Sequence, residues 1–193
     1  MISEKQRSAE AACEYVKDGM IVGLGTGSTA EFAVKKIGEL VRNGLSIRGI
    51  PTSDATKILA ESEGIPLIEF SETMFIDLTI DGADEIDANL NMIKGGGAAL
   101  LREKIVASAS REEIIIVSGS KLVQQLGAFP LPVEVIPFGW QVVFNQLESL
   151  QGNPELRLKQ GQPSVTDQGN FIIDCHFRKI ENPEQLEQHL NMI

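Results

Sequence analysis

The sequence predicts an α/β fold with two domains, and three observations support this prediction. In residues 1–129, short apolar runs alternate with helical segments, and this βαβαβ order is typical of a parallel sheet. A proline-rich stretch, PLPVEVIPFG, begins at Pro130 and indicates a domain boundary. Residues 130–193 then have the order βαββα, a split βαβ unit that lacks its last strand. We therefore expect an open, Rossmann-like, mostly parallel sheet with helices on both faces in residues 1–129, and a smaller, ferredoxin-like α+β domain in residues 130–193.

Two residue pairs in the first domain have the spacing of a capping box. Ser3 with Gln6 and Ser28 with Glu31 each predict the start of a helix. The strands are predicted from apolar runs of β-forming residues. The predicted strands are 20–24, 46–50, 65–70, 74–80 and 114–117. The predicted helices are 3–18, 28–41, 53–63 with Ser53 or Asp54 as its cap, and a fourth that begins at Ala98 and contains Glu103.

The second domain is predicted to end in a helix, because Asn182 is a good N-cap and Pro183 suits the first helical position. In chain order, its predicted elements are a strand at 133–136, a helix at 139–150, strands at 155–159 and 170–175, and a helix at 183–191.

The composition is that of a globular protein, with 42% hydrophobic and 23% charged residues. The net charge of -10 argues against nucleic acid or an anionic membrane as a partner. Cys13 and Cys175 do not have metal-ligand spacing, and they indicate a reducing compartment rather than a disulfide framework. The sequence shows neither a signal-peptide pattern nor an apolar run of ~18 residues that could span a membrane. We therefore expect a cytoplasmic protein without a metal site.

A glycine-rich turn, GTGST, occupies residues 25–29 between a predicted strand and a predicted helix. In this geometry free backbone amides face an anion, and the hydroxyl groups of Thr26, Ser28 and Thr29 add donors. The spacing matches neither the dinucleotide-binding GxGxxG pattern nor the Walker pattern, because the third glycine and the Gly-Lys-Ser/Thr sequence are missing. The turn therefore predicts a generic cradle for a phosphate or hydroxyl group, and a plain tight turn is the alternative.

The residues from Asp81 to Glu103 bring carboxylates, a lysine and a run of glycines into a span that one pocket could hold. Asp81 and Asp84 follow a predicted strand, and ligands of open α/β sheets bind outside such strand ends. Lys94 comes next, with a run of three glycines, Gly95, Gly96 and Gly97, whose backbone can approach a ligand closely. Lys121 also follows a strand end, although an exposed lysine at a helix start is an equal alternative.

Glu103 has apolar neighbours on its predicted helix face, at positions 99, 100, 106 and 107. Arg102 and Lys104 are adjacent in sequence but point in other directions. A partly desolvated glutamate has a raised pKa, which suits a carboxylate that acts as a general base. Taken alone, Glu103 would more often be a solvated helix residue. Its position close in sequence to Asp81, Asp84 and Lys94 favours the catalytic interpretation.

Six segments together resemble the A-type family of ribose-5-phosphate isomerases: GLGTGSTA, TSDAT, DGADEID, MIKGGGAALLREKIVAS, SGSKLV and FPLPVEVIP. The resemblance extends from the first helix to Ile193, and the pair DGADEID and KGGGAALLREK is highly specific. It implies an enzyme of the pentose phosphate pathway that interconverts ribose 5-phosphate and ribulose 5-phosphate without a metal or an organic cofactor. It further implies a homodimer or homotetramer with a pentose phosphate as its small-molecule partner. Family members continue beyond the last helix with chain that closes the small domain.

The resemblance also assigns roles to residues of this chain. Glu103 corresponds to the proton acceptor, and Lys5 resembles a lysine that approaches the substrate phosphate. The other positions that match the substrate site are Thr26, Gly27, Ser28, Thr29, Asp81, Gly82, Ala83, Asp84, Lys94, Gly95, Gly96, Gly97 and Lys121.

The residue types in this stretch suit the isomerase hypothesis. Moving a proton between adjacent carbons needs one base and a positive group for the oxyanion. Glu103 fits the first task, and Lys94 together with the glycine amides fits the second. Asp81 and Asp84 could bind sugar hydroxyls and help to open the furanose ring. Two other functions remain open at this point. One is acyl transfer with Glu103 as the nucleophile. The other is a non-catalytic sugar-phosphate sensor on the same fold.

Overall fold

The computed structural model describes residues 2–73 and 75–193, and the chain divides into two compact units. Unit 1 comprises Met1–Gly82 and Ala99–Ser120, and unit 2 comprises Ala83–Ala98 and Lys121–Ile193. Residues 83–98 and 121–129 are predicted from the sequence to lie in the first domain. In the structure they belong to unit 2, together with residues 130–193. The domain boundary at Pro130 stays a prediction.

The helices and strands of the described residues follow in chain order. They are α1 (Glu4–Cys13), β1 (Ile21–Leu24), α2 (Ala30–Arg42), β2 (Arg48–Pro51), α3 (Asp54–Ser62), β3 (Ile76–Gly82), β4 (Glu85–Ile86), β5 (Met92–Ile93), α4 (Leu100–Ser108), β6 (Ser110–Ile116), β7 (Leu131–Val135), α5 (Trp140–Ser149), β8 (Pro154–Leu156), β9 (Leu158–Lys159), β10 (Gln162–Pro163), β11 (Phe171–Cys175) and α6 (Pro183–Leu190).

Unit 1 contains a sheet with the strand order β2-β1-β3-β6, in which all neighbouring strands are parallel. The chain moves from β1 to β2 on one side, and then returns to place β3 on the other side of β1. The carboxyl ends of β1 and β3 therefore form a topological switch point, where open α/β sheets bind their ligands.

Helices cover both faces of this sheet. Val22 and Leu24 of β1 pack in one cluster with residues of α1, α2 and α3. Ile21 packs in a second cluster with Val106 of α4. Because successive side chains of a strand point to opposite faces, the two clusters lie on opposite sides of the sheet. The predicted parallel α/β architecture is confirmed.

Unit 2 is an α+β assembly around the antiparallel sheet β7-β11-β8. Leu147 of α5 and Ile173 of β11 are fully buried in its core, with Val135 and Cys175 in the same cluster. A second cluster contains Ile93 of β5, Leu126 and Ile180. The elements around this sheet follow the predicted βαββα order, as β7, α5, β8, β11 and α6. The strand predicted at 155–159 is divided, however, because β8 ends at Leu156 and β9 pairs with β10 in a separate hairpin.

Two predicted helix caps are confirmed. The amide of Gln6 donates to the Ser3 hydroxyl over 3.2 Å, and the amide of Thr56 donates to the Ser53 hydroxyl over 3.0 Å. The cap predicted at Ser28 is wrong. Helix α2 begins at Ala30 with Thr29 as its N-cap, and the Ser28 hydroxyl instead accepts a hydrogen bond from the Lys5 ammonium.

Three other element predictions need correction. The first helix ends at Cys13 rather than near Asp18, because the amides of Tyr15 and Val16 bond to carbonyls three residues back instead of four. The Asp18 carboxylate accepts from the Ser46 amide over 2.7 Å. The fourth helix begins at Leu100, since Ala98 has a left-handed φ of 63°. The strand at 65–70 is reduced to a single bridge between Leu67 and Gly49, after which a 3-10 turn at Phe70–Glu72 changes the chain direction. The predicted start of the following strand at Met74 lies outside the described residues.

Candidate active site

The glycine turn after β1 and Asp81 near the end of β3 meet at the switch point of unit 1. Asp81 is 1% exposed, and its Oδ1 accepts from the amides of Thr26 over 3.1 Å and Gly82 over 2.8 Å. A Cβ at Gly25 would lie 2.3 Å from that same Oδ1, so only glycine lets the two strand ends approach so closely. Sequence analysis identified both features, and the structure brings them into contact.

The hydroxyl of Thr26 belongs to a cluster of hydroxyl groups rather than to the open side of the turn. It lies 2.7 Å from the Thr52 hydroxyl, 2.8 Å from that of Ser53 and 3.0 Å from that of Thr56. Thr56 in turn donates to the carbonyl of Gly25 over 3.0 Å. Hydroxyl groups of the TSDAT segment thus hold the glycine turn at Gly25 and Thr26. Ser28 and Gly27 are exposed, and Gly27 has a φ of 109° that favours glycine.

Helix α1 reaches the same turn through Lys5. Its ammonium donates to the Ser28 hydroxyl over 2.7 Å, which places a positive charge beside the N-terminal end of α2. The neighbouring Glu4 carboxylate accepts from the amide of Gly119 over 3.2 Å. Together these contacts hold the first turn of α1 between two loops that follow strands β1 and β6.

Glu103 is buried, with 5% exposure, on helix α4 of the same unit. Ala99 and Val106, two of the four predicted apolar neighbours, are buried as well. Arg102 points elsewhere, because its guanidinium donates to Asp54 over 2.7 Å. The prediction that Glu103 is withdrawn from water is therefore confirmed, and its solvated alternative is wrong.

In unit 2, Asp84 and the glycine loop contact each other directly. Asp84 Oδ2 accepts from the Gly96 amide over 2.8 Å, and the Asp84 amide donates to the Ile93 carbonyl over 2.8 Å. A Cβ at Gly96 would lie 2.6 Å from Asp84 Oδ1. The loop also carries Lys94, which is half-buried directly after β5. Asp84 and residues 94–97 thus form one structural group.

Lys121 lies in the 3-10 turn Gly119–Lys121 and is half-buried. Its ammonium is 5.3 Å from the ring centre of Phe129. The following residues attach to β4, since the Val123 amide donates to the Ile86 carbonyl over 3.0 Å. Lys121 therefore begins a segment that is hydrogen-bonded to the strand directly after Asp84.

Two residues that organise unit 2 are absent from the sequence-based site. Glu85 is 4% exposed, and its carboxylate accepts from the amides of Gly127 over 2.7 Å and Phe129 over 2.6 Å. Its place inside the DGADEID motif was a usable signal. Arg157 contacts the glycine loop from a segment 62 residues away in sequence, and no motif marks it.

Metal ligands and membrane-spanning helices would leave recognisable features in the described residues. No group of three or more His, Cys, Asp or Glu side chains in this part of the chain is placed to hold a metal ion. Among the same residues, no helix is both long enough and apolar enough to cross a membrane.

Comparison with known proteins connects this geometry to one family. The family model for ribose 5-phosphate isomerase A (phosphoriboisomerase A) matches residues 48–193. Ribose-5-phosphate isomerase A of Bacillus mycoides is 52% identical over 194 residues, which cover 100% of this chain and 88% of that protein. The enzyme of the same name from Gloeobacter violaceus is 54% identical, with coverages of 98% and 83%.

Solved structures give the same result. A D-ribose-5-phosphate isomerase in complex with phospho-erythronic acid superposes with a TM-score of 0.95 at 41% identity, and the match covers 98% of this chain and 85% of that one. Ribose 5-phosphate isomerase A from Methanocaldococcus jannaschii superposes with a TM-score of 0.94 at 42% identity, with coverages of 98% and 86%. The folds, the motifs and the full-length identity agree, and the chain belongs to the ribose 5-phosphate isomerase A family.

Proposed function

We propose that Glu103 is the general base with which this chain interconverts ribose 5-phosphate and ribulose 5-phosphate, the reaction of its family. The observation that carries this assignment is the burial of the Glu103 carboxylate on α4. A carboxylate held away from water can accept a proton from carbon more readily than a hydrated one, because solvation no longer favours its charged form. The chain is accordingly an aldose-ketose isomerase.

The reaction moves one proton between two adjacent carbons of the open-chain sugar. In the aldose to ketose direction, Glu103 removes the proton from C2, and the C–H electron pair forms a double bond between C1 and C2. The carbonyl oxygen on C1 then carries the negative charge of an enediolate. Return of the proton from Glu103 to C1, with transfer of the hydroxyl proton from O2 to O1, gives the ketose. One base therefore serves both steps.

Lys94 is the residue that we assign to the developing oxyanion. Its ammonium group offers the positive charge that this step needs, and its loop is hydrogen-bonded to Asp84 through the Gly96 amide. The Gly96 amide already donates to Asp84, so we assign the lysine rather than that amide to the oxyanion. Lys94→Ala should lower kcat more than it raises KM, because the charge matters most in the transition state.

The remaining site residues are assigned to binding the sugar phosphate. We propose that Asp81 and Asp84, with Gly82 and Ala83 between them, bind sugar hydroxyls and assist opening of the furanose ring. Cationic and hydroxyl groups suit the phosphate. The residues assigned to the phosphate are Lys5, Gly27, Ser28, Thr29 and Lys121, and Thr26 is assigned to holding their turn through its hydroxyl contacts. Phosphorylated sugar acids such as phospho-erythronic acid, which is bound in one solved relative, should occupy this site as well.

The direct test is to incubate the purified chain with ribose 5-phosphate in the presence of a chelator and to measure ketopentose. We expect full activity, since a lysine can stabilise the enediolate without a metal ion. Loss of activity in chelator that a divalent ion restores would contradict the metal-free mechanism. Absence of turnover under all conditions would favour the sensor hypothesis. The relatives described above are isomerases, which favours catalysis over the sensor and acyl-transfer hypotheses.

We also propose that the enzyme works in the cytoplasm as a homodimer or homotetramer. Free, buried thiols at Cys13 and Cys175 suit a reducing compartment. Self-association is supported by large apolar side chains that unit 2 exposes, including Phe138 at 96% exposure and Ile136 at 69%.

A further inference from the structure

Arg157 connects the small sheet of unit 2 to the glycine loop. Its Nη1 donates to the carbonyl oxygen of Gly95 over 3.1 Å and to that of Gly96 over 3.2 Å. On its other side, the guanidinium makes a two-point contact with Asp174, through Nε over 2.8 Å and through Nη2. The side chains of Arg157 and Asp174 are 18% and 19% exposed, so this pair is largely shielded from solvent.

Hydrogen bonds and strand pairing hold the backbone of both partners. The Arg157 amide donates to the Ile172 carbonyl over 2.8 Å, and the Arg157 carbonyl accepts from Ser164 over 2.8 Å. Asp174 lies within β11, the central strand of the β7-β11-β8 sheet. A planar guanidinium held at two points by a carboxylate has little freedom left, so its remaining Nη1 group points in a defined direction.

We propose that Arg157, oriented by Asp174, is a positioning residue that sets the conformation of the Lys94–Gly97 loop for catalysis. Each peptide group is planar and trans, so fixing a carbonyl oxygen also fixes the direction of the amide on the same peptide. Arg157 fixes two consecutive peptides, Gly95–Gly96 and Gly96–Gly97. The amide of the first donates to Asp84 over 2.8 Å, which holds that peptide at both ends.

Glycine makes this external support necessary. Three consecutive residues without a Cβ have wide conformational freedom, and Gly95 has a φ of 97° in the left-handed region. A loop of this kind needs contacts from outside to keep one conformation. Lys94 precedes the first fixed peptide, so its backbone direction depends on the same contacts. The inference rests on the role proposed above for Lys94.

The test compares Arg157→Ala and Arg157→Lys with the parent chain by two measurements. Hydrogen exchange of the peptide that covers residues 94–98 reports on the loop independently of catalysis, and steady-state kinetics with ribose 5-phosphate report on turnover. We expect faster exchange in both variants and a kcat lowered about 10- to 100-fold, the usual effect of misplaced catalytic groups. Lysine should not rescue, because it keeps the charge but not the two-point geometry. Lys159→Ala, which removes an exposed cation nearby, should match the parent in both measurements.

A double variant, Lys94→Ala with Arg157→Ala, tests whether Arg157 acts through the loop. We expect its kcat to equal that of Lys94→Ala within about twofold, because effects of residues that act through one another are not additive. Multiplying losses would overturn the inference, as would parent-like exchange or parent-like kcat in Arg157→Ala. If Lys94→Ala itself kept full turnover, the proposed role of Lys94 would fail, while the exchange data would still decide whether Arg157 fixes the loop.

Discussion

The first two aspartates of the DGADEID segment each lie against a glycine. At Asp81 the glycine is Gly25, and at Asp84 it is Gly96, and in each case a Cβ would approach the carboxylate closer than any real contact allows. The two glycines therefore do more than form turns. They let a backbone amide reach each carboxylate, from Thr26 in the first case and from Gly96 itself in the second.

Gly25→Ala should lower the free energy of unfolding by about 1–3 kcal/mol, since its Cβ would overlap Asp81 Oδ1 and the strand ends would have to separate. Urea unfolding measures this change. Gly82→Ala is the matched control for stability, because the nearest atom to its Cβ would be 3.7 Å away. Equal stability of the two variants would contradict this prediction.

Glu103→Gln should fold like the parent and lose kcat by roughly 10²- to 10⁴-fold, the usual contribution of a positioned base. The substitution keeps the size of the side chain and removes its ability to accept a proton. Solvent deuterium should enter the sugar at C1 or C2 with the parent chain and not with the variant.

The control for this experiment is Glu112→Gln, which makes the same chemical change at an exposed position of β6. It should retain parent kinetics. Near-parent turnover and exchange in Glu103→Gln would instead move the base to Asp81 or Asp84.

At the scale of elements, the short hairpin of β4 and β5 depends on Glu85. The hairpin has two paired residues on each strand, too few to be stable alone. Glu85 attaches it to residues 127–129 through two hydrogen bonds from backbone amides to its carboxylate. At the other end of the hairpin, the Asp87 carboxylate accepts from the Asn91 side chain and from the amides of Asn89 and Asn91. The hydrogen bond from the Asn91 side chain is the main reason that the pKa of Asp87 is lowered.

Glu85→Gln should lower the free energy of unfolding by about 1–3 kcal/mol. The side-chain NH2 group of glutamine would face one of the two backbone N–H groups that now donate to the carboxylate, and that N–H group would lose its acceptor. Thermal or urea unfolding measures the loss, and Glu148→Gln on the exposed side of α5 provides the same change without a buried partner. An unfolding curve equal to that of the control would mean that Glu85 does not hold the hairpin.

The accuracy of the sequence-based assignments follows the range of the interactions behind them. Ser3 and Ser53 were identified as caps because such a cap depends on residues three positions apart. Ser28 has the same spacing, yet its hydroxyl accepts a hydrogen bond from Lys5, which is 23 residues away in sequence, and does not cap the helix. The DGADEID and KGGG residues could be proposed as site residues because they lie close together in sequence. Arg157 could not, since its contacts with the loop are purely tertiary.

At the scale of the whole molecule, we expect self-association in solution. Family resemblance implies a dimer or larger, and unit 2 exposes apolar side chains such as Phe138 and Ile136. Light scattering at working concentration should return a mass well above the 21.0 kDa of one chain. A mass near that of a single chain would contradict the proposal.

Alkaline pH should destabilise the folded chain through its two thiols. Burial raises the pKa of Cys13 and of Cys175 to about 12, whereas an unfolded thiol has a value near 9.0. As the pH rises above 9.0, the unfolded state loses these protons first, so the free energy of unfolding falls with pH. Urea unfolding at neutral and alkaline pH should show this fall. A double Cys13→Ala, Cys175→Ala variant should show less of it, and an identical pH dependence would exclude the thiols as its source.

The assignment of residues 83–98 to unit 2 has a consequence for synthesis on the ribosome, where a chain emerges from its N-terminus onward. When Ser120 has been made, every residue of unit 1 exists, and so does the segment that carries Lys94. The partners of that segment have not yet been made, because Glu85 is hydrogen-bonded to Gly127 and the glycine loop to Arg157. A nascent chain can therefore complete its parallel sheet while its Lys94–Gly97 loop is still unsupported, and we expect competence for isomerisation to arise only in the last part of translation.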